Sequence, residues 1–187
     1  MKNRILFLLA DGFEEMEAVI PFDILSRGGI SATLASIHED AFVEGAHGLS
    51  VRADALLSEL SPSDFDGVFI PGGSRGVENL KSSEPVLEIV RDFAAAGRWV
   101  FSICAGPMVL ARAGILHDRR ITSYPSTEKD LILHCKAYSA DRVVVDNRVV
   151  TSRGPGSAEE FGFAVLELLT DRRTVQDVRT GMLARPS

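Results

Sequence analysis

At 187 residues, with 45% hydrophobic and 25% charged side chains, the chain is long enough to bury one core of ordinary size and is expected to form one domain, 1–187. A formal charge of −6 argues against nucleic acid or an anionic membrane as the main partner, since both demand a basic surface. Two cysteines cannot build a disulfide framework, which points to a reducing cytoplasm, and neither a signal peptide nor an apolar run of the ~18 residues a membrane span needs is found.

The continuous apolar run 5–10 (ILFLLA) predicts a strand covered on both faces. A helix follows, with Met16, Val19, Ile20, Ile24 and Leu25 at near-helical spacing, ended by Gly28 and Gly29 and open to a kink at Pro21. Residues 31–37 predict a second strand, 43–54 a small exposed β excursion, and 67–73 (GVFIPGG) a short buried strand running into glycines. A further helix has Pro85 in its first turn, Val86, Ile89, Val90 and Phe93 on one face, and Gly97 after its end. The strand 99–103 (WVFSI) leads into Cys104 and a helix closed near Gly114. Residues 142–152 predict a hairpin turning at Asp146–Asn147. Residues 157–160 (SAEE) fit a capping box opening a last helix, with Phe161, Val165, Leu168 and Leu169 inward.

Strands alternating with helices imply an α/β fold, a mostly parallel sheet with helices on both faces. Sites in such sheets lie at the carboxyl ends of the strands. The segments to watch are therefore 11–17, 71–76, 104–107 and 153–156.

Cys104 stands at one such corner, just ahead of a helix whose unpaired amides favour an anion. A thiolate there gains a lowered pKa and reactivity at neutral pH, although a free cysteine can also be inert core filling. Gly106 and Pro107 suit the turn, which resembles a nucleophile elbow with Ser102 in place of the usual leading glycine. Cys135 has no such corner and is expected to be structural.

None of the four histidines, His38, His47, His117 and His134, falls at a strand end near Cys104, so a Cys-His-Asp triad is not supported. Glu14, Glu15 and Glu17 cluster after the first strand. One of them could donate a protonated carboxyl to the sulfur, or all three could simply serve the helix dipole. The amides of 71–73 (PGG) could hold an oxyanion or form a plain turn. Arg153 could hold a carboxylate or phosphate, or be solvated. No CxxC, HExxH or Walker-type loop is present, so no metal, nucleotide or other cofactor is expected.

Four motifs in register, ADGFEEMEAVIPFDILSRGGI, FIPGG, SICAGP and TSRGPG, resemble the ThiJ/PfpI superfamily, most closely the branch of the Parkinson-disease-associated deglycase and bacterial YajL. The resemblance spans nearly the whole chain. It implies a flavodoxin-like three-layer sandwich, usually as a homodimer. It implies Cys104 as the reactive, oxidisable cysteine and selects Glu17 as the carboxyl bonded to it. It implies the amides of Gly73 and Ala105 as oxyanion donors, with Gly72, Tyr124, Arg153, Gly154 and Pro155 around the substrate. Activities of similar proteins imply a cofactor-free glyoxalase or deglycase acting on a small dicarbonyl or on a glycated thiol or amine. The alternative is an oxidative-stress sensor or redox-regulated chaperone using the same cysteine. Tyr124 stands where human-type members carry histidine and His47 where they carry arginine, which makes the pocket less basic.

Overall fold

The computed structural model describes residues 3–184. Strand β1 (Arg4–Leu9) is fully buried from Ile5 onward, and its alternate side chains feed two cores. Ile5 and Phe7 point to one, Leu6 and Leu8 to the other, as the period of two along a strand requires. Helix α1 (Glu15–Arg27), β2 (Ser31–Ser36), the hairpin β3 (Phe42–Glu44) and β4 (Ser50–Arg52), and β5 (Ala55–Leu56) follow. Then come β6 (Gly67–Ile70), α2 (Ser74–Ser82), α3 (Glu84–Ala95), β7 (Trp99–Ile103) and α4 (Pro107–Ala113). The rest is β8 (Arg120–Ile121), α5 (Glu128–Leu131), β9 (Ala137–Tyr138), β10 (Val143–Asp146), β11 (Val149–Ser152), α6 (Ala158–Leu169) and α7 (Arg172–Gly181).

The main sheet has seven strands in the order β10-β11-β7-β6-β1-β2-β5, parallel throughout except for β10. Helices α2, α3 and α4 cover one face through Val77, Leu80, Val86, Val90, Val109 and Leu110. Helices α1 and α6 cover the other through Ile24, Leu25, Phe161 and Val165, over stacked Phe7 and Phe69. This is the three-layer α/β sandwich of flavodoxin-like topology that the sequence implies.

Several local expectations are corrected. On α1 the inward residues are Ala18, Pro21, Ile24 and Leu25, while Met16 and Val19 are 48% and 45% exposed. Helix α1 runs unbroken through Pro21. The hairpin of β10 and β11 turns at Asn147–Arg148, one residue later than expected, because Asp146 still pairs with Val149 and Asn147 takes the left-handed conformation at φ 54°. The capping box at 157–160 does not form. Ser157 Oγ is spent on Ser152 and Gly154 instead, and Leu166 takes the buried place expected for Leu168 and Leu169, which are half-buried. The excursion at 43–54 is a hairpin, and Val43 in it is fully buried. Helices α2 and α7, with the small β8–β9 pair, carry no strong sequence signal and are additions.

Candidate active site

At the carboxyl end of β7 the chain must turn from strand to helix within the three residues 104–106. Cys104 begins this turn at φ 63°, in the left-handed region that costs an L-residue with a side chain of order 1–3 kcal/mol. Such strain persists only when neighbours over-determine it. Here the Cys104 N–H donates to the Ser152 carbonyl of β11 at 2.9 Å, and the Cys104 carbonyl accepts from the Tyr124 N–H at 2.9 Å. Behind the turn, Gly106 leaves room that a Cβ would take from the Ile70 and Ile103 carbonyls, at 2.8 and 2.9 Å. Pro107 begins α4 and Gly114 caps it in the left-handed conformation.

The loop after β6 comes to the same place. Gly73 has φ 95°, and a Cβ there would meet the Gly12 carbonyl and the Glu14 amide. Gly72 is closed to a side chain by the Glu17 carboxylate and by Cys104 Cβ at 2.7 Å. These two glycines let two chemically active side chains touch. The N–H groups of Gly73 and Ala105 both donate to Cys104 Sγ.

Of the three glutamates, Glu17 is the one at the sulfur, and it is fully buried. Its Oε2 accepts from the Gly72 N–H at 2.8 Å, while its Oε1 is buried without a hydrogen-bond partner among the described residues. Burial raises the Glu17 carboxyl to about 7, against the hydrogen bonds from Cys104 and Gly72. The Glu14 charge adds to the rise.

The expectation of a lowered Cys104 pKa is corrected. Burial, followed by the charge and hydrogen bond of Glu17, pushes the thiol up, and the Ala105 and Gly73 amides only partly oppose this. The two groups titrate as a pair. The first proton leaves the pair near 7 and the second far higher, so one proton is held between carboxyl and sulfur above neutrality. The reason sequence logic fails here is that the same burial that gathers the amides also strips water from the sulfur.

Glu14 and Glu15 have other partners. Glu15 accepts from the His47 N–H at 2.6 Å and pairs with His47 Nδ1 at 2.8 Å, tying α1 to the β3–β4 hairpin. Burial opposes its ionisation, but the bonds from His47 prevail and hold its carboxyl below the ordinary range; the same contact raises His47. Glu14, Glu15 and His47 bring possible metal-ligand atoms within 4.8 Å of one another, and they already satisfy each other as an ion pair.

Tyr124 is 45% exposed, and its ring lies 3.2 Å from where a Gly154 Cβ would stand, a position itself 4.0 Å from Glu17 Oε1. Tyr124 and Gly154 are thus brought to the site, with Arg153 and Pro155 half-buried on either side of Gly154. Cys135 is half-buried against the core of α3 and α4, away from any such constellation. Sequence reasoning missed Ser152 and the Tyr124 amide as the clamps of the elbow, because both act through backbone atoms that leave no mark on residue type. Among the described residues no helix is long and apolar enough to cross a membrane.

The chain is 35% identical over 183 residues to protein dj-1beta of Drosophila melanogaster, covering 98% of each. The crystal structure of that protein superposes with a TM-score of 0.95 over the full length of both chains. The chain is also 38% identical over 153 residues to a deglycase of Pyrococcus abyssi, covering 82% of this chain and 91% of that one. A structure of oxidized Toxoplasma gondii DJ-1 superposes with a TM-score of 0.92 at 30% identity, covering 98% of this chain and all of that one. The model of the DJ-1/PfpI family matches residues 3–168, the span from β1 to the end of α6 that builds the sheet and both sides of the cysteine site, and the chain belongs to that family.

Proposed function

We propose that the protein is a cysteine-dependent, cofactor-free enzyme acting on small reactive dicarbonyls, converting methylglyoxal to lactate or releasing the same carbonyls from early adducts on thiols and amines. The observation that carries this reading is geometric: the fully buried Glu17 carboxyl stands against the Cys104 thiol on its strained turn, with the Gly73 and Ala105 amides beside the sulfur. Attack of Sγ on the aldehyde carbon moves the thiol proton to Glu17. The new oxyanion takes the N–H groups of Gly73 and Ala105, each worth about 3 kcal/mol in a transition state of this kind. Glu17 returns that proton to the oxyanion, giving the hemithioacetal, and as a carboxylate then carries a proton from the former aldehyde carbon to the neighbouring carbonyl carbon through an enediol. The product is a lactoyl thioester, which water hydrolyses to lactate, restoring the thiol. One water is consumed and no net oxidation occurs. Tyr124 donates a hydrogen bond to a substrate oxygen, and Arg153, Gly154 and Pro155 line the approach. The deglycase name of the archaeal relative supports this reading.

The test is turnover of methylglyoxal without glutathione, followed by lactate release. Wild type should turn over, and Cys104→Ser should lose at least ~10³-fold, as expected when a nucleophile is removed. Equal rates would overturn the reading.

The oxidized Toxoplasma relative favours a second reading, an oxidative-stress sensor or redox-regulated chaperone. Two equivalents of peroxide would take Cys104 to the sulfinate, with two waters released, and the elbow amides would hold the added oxygens. Peroxide-dependent suppression of client aggregation without dicarbonyl turnover would select it. Either activity is proposed for a cytoplasmic homodimer, its contact formed by the exposed apolar face of α1 at Met16 and Val19 with Leu49 of the β3–β4 loop.

A further inference from the structure

Tyr138 lies at the end of β9, 34 positions from Cys104, and belongs to no motif singled out in the sequence. Its hydroxyl donates to the Ser123 carbonyl at 3.1 Å. That carbonyl belongs to the peptide group whose N–H, on Tyr124, donates to the Cys104 carbonyl at 2.9 Å. The Cys104 carbonyl in turn belongs to the peptide group whose N–H, on Ala105, donates to Cys104 Sγ. Three hydrogen bonds and two peptide groups thus run head to tail from the phenol to the sulfur. Each bond polarises the next peptide, making its N–H a better donor.

The phenol is held in place for this. Ser123 Oγ lies 3.0 Å from the Tyr138 hydroxyl and 2.8 Å from Thr127 Oγ1, and Thr127 Oγ1 donates to the Tyr124 carbonyl at 2.8 Å. Ser123 is fully buried. The Tyr124 carbonyl belongs to the following peptide, outside the relay.

We propose that Tyr138 is a positioning residue for the cysteine chemistry, acting through the Ser123–Tyr124 and Cys104–Ala105 peptides to strengthen the amide that stabilises negative charge on the sulfur and on the oxyanion. The proposal rests on Cys104 being the reactive group. It is tested on the thiol itself, without turnover, so it stands or falls separately from the choice of substrate.

The measurement is the rate of Cys104 alkylation by iodoacetamide against pH, in a Cys135→Ser background so that only one thiol reports. Tyr138→Phe keeps the ring and removes the donor. It should slow alkylation at pH 7 by about two- to threefold, the weakening of one charge-assisted hydrogen bond by a fifth to a third, and move the profile to higher pH. Thr127→Val removes a hydroxyl that helps hold Ser123 Oγ beside the phenol but is no donor of the relay, and should slow alkylation less than Tyr138→Phe does. The chain has two tyrosines, so 3-fluorotyrosine incorporated into Tyr124→Phe labels Tyr138 alone. The more acidic phenol is a stronger donor and should move the profile to lower pH, which decides the matter if Tyr138→Phe does not fold. An unchanged profile in both Tyr138→Phe and the fluorinated protein would overturn the proposal. Equal slowing in Thr127→Val would also overturn it, since that would mean only general loosening of the segment.

Discussion

Glu17 binds its proton more tightly in the folded chain than in the unfolded one, and this has a sign in stability. A carboxyl raised from 4.5 to about 7 by burial leaves the folded state with more protons than the unfolded state between those values. Its contribution is therefore fully present below pH 4.5 and is lost as pH rises through 7. The loss amounts to about 3 kcal/mol. Urea denaturation of wild type and Glu17→Gln at pH 4.5 and 8 should show that difference in wild type and not in the variant. Turnover should rise with pH through about 7, as the pair comes to hold a single proton and Glu17 can accept the one from the thiol. Glu17→Gln should lose that limb of the profile together with most activity. Gly72 provides a second residue-scale test. A methyl at Gly72 would displace the Glu17 carboxylate and press on Cys104 Cβ at 2.7 Å. Gly72→Ala should cost roughly 1–3 kcal/mol in stability through overpacking and reduce turnover by at least ~100-fold, the scale of a misplaced catalytic group.

Glu17 is placed by an element, and the element is placed by its neighbour. Helix α1 packs on α6 where Gly162 faces Ile24 and Pro21. A Cβ at Gly162 would stand 2.8 Å from Ile24 Cδ1 and 3.2 Å from Pro21 Cα. The isoleucine tip can turn aside, but the Pro21 backbone cannot. Alanine would gain about 1 kcal/mol of helix propensity over glycine. Overpacking against backbone costs about 1–3 kcal/mol, so the net effect is destabilising by about 1 kcal/mol. Gly162→Ala should lower the unfolding free energy measured in urea by that amount. It should also lower turnover, because a shift of α1 moves the Glu17 carboxyl relative to the sulfur. Unchanged stability would mean that the two helices separate without cost.

The whole molecule presents an apolar face that its own layers do not cover. Met16, Val19 and Leu49 are each about half exposed, on α1 and the adjoining hairpin, close in sequence to Glu14, Glu15 and His47. Met16 and Val19 stand three residues apart on α1 and so share one face of the helix. If it is the homodimer contact, a Met16→Lys, Val19→Lys double variant should halve the mass measured by light scattering. Folding should be retained, since neither side chain belongs to a buried core. A wild-type monomer would instead leave this face for another partner.

Much was readable from residues alone, because burial writes itself into short patterns. The runs 5–10, 67–73 and 99–103 read as buried strands, and their alternation with helices left a parallel sheet as the simple solution. The strand-end rule points to Cys104 and the 71–76 loop from residue order alone. Motif likeness, rather than spacing, chose Glu17 over Glu14 and Glu15. Tertiary structure supplied the physical ground for that choice: Glu17 faces inward to the sulfur, while Glu15 is occupied by His47. It also reversed the expected direction of the thiol's proton affinity, since desolvation depends on everything packed around the sulfur and not on its place before a helix. The clamps on the elbow and the path from Tyr138 were invisible for a related reason. They run through backbone carbonyls and amides that every residue possesses, and only the folded chain decides which of them meet.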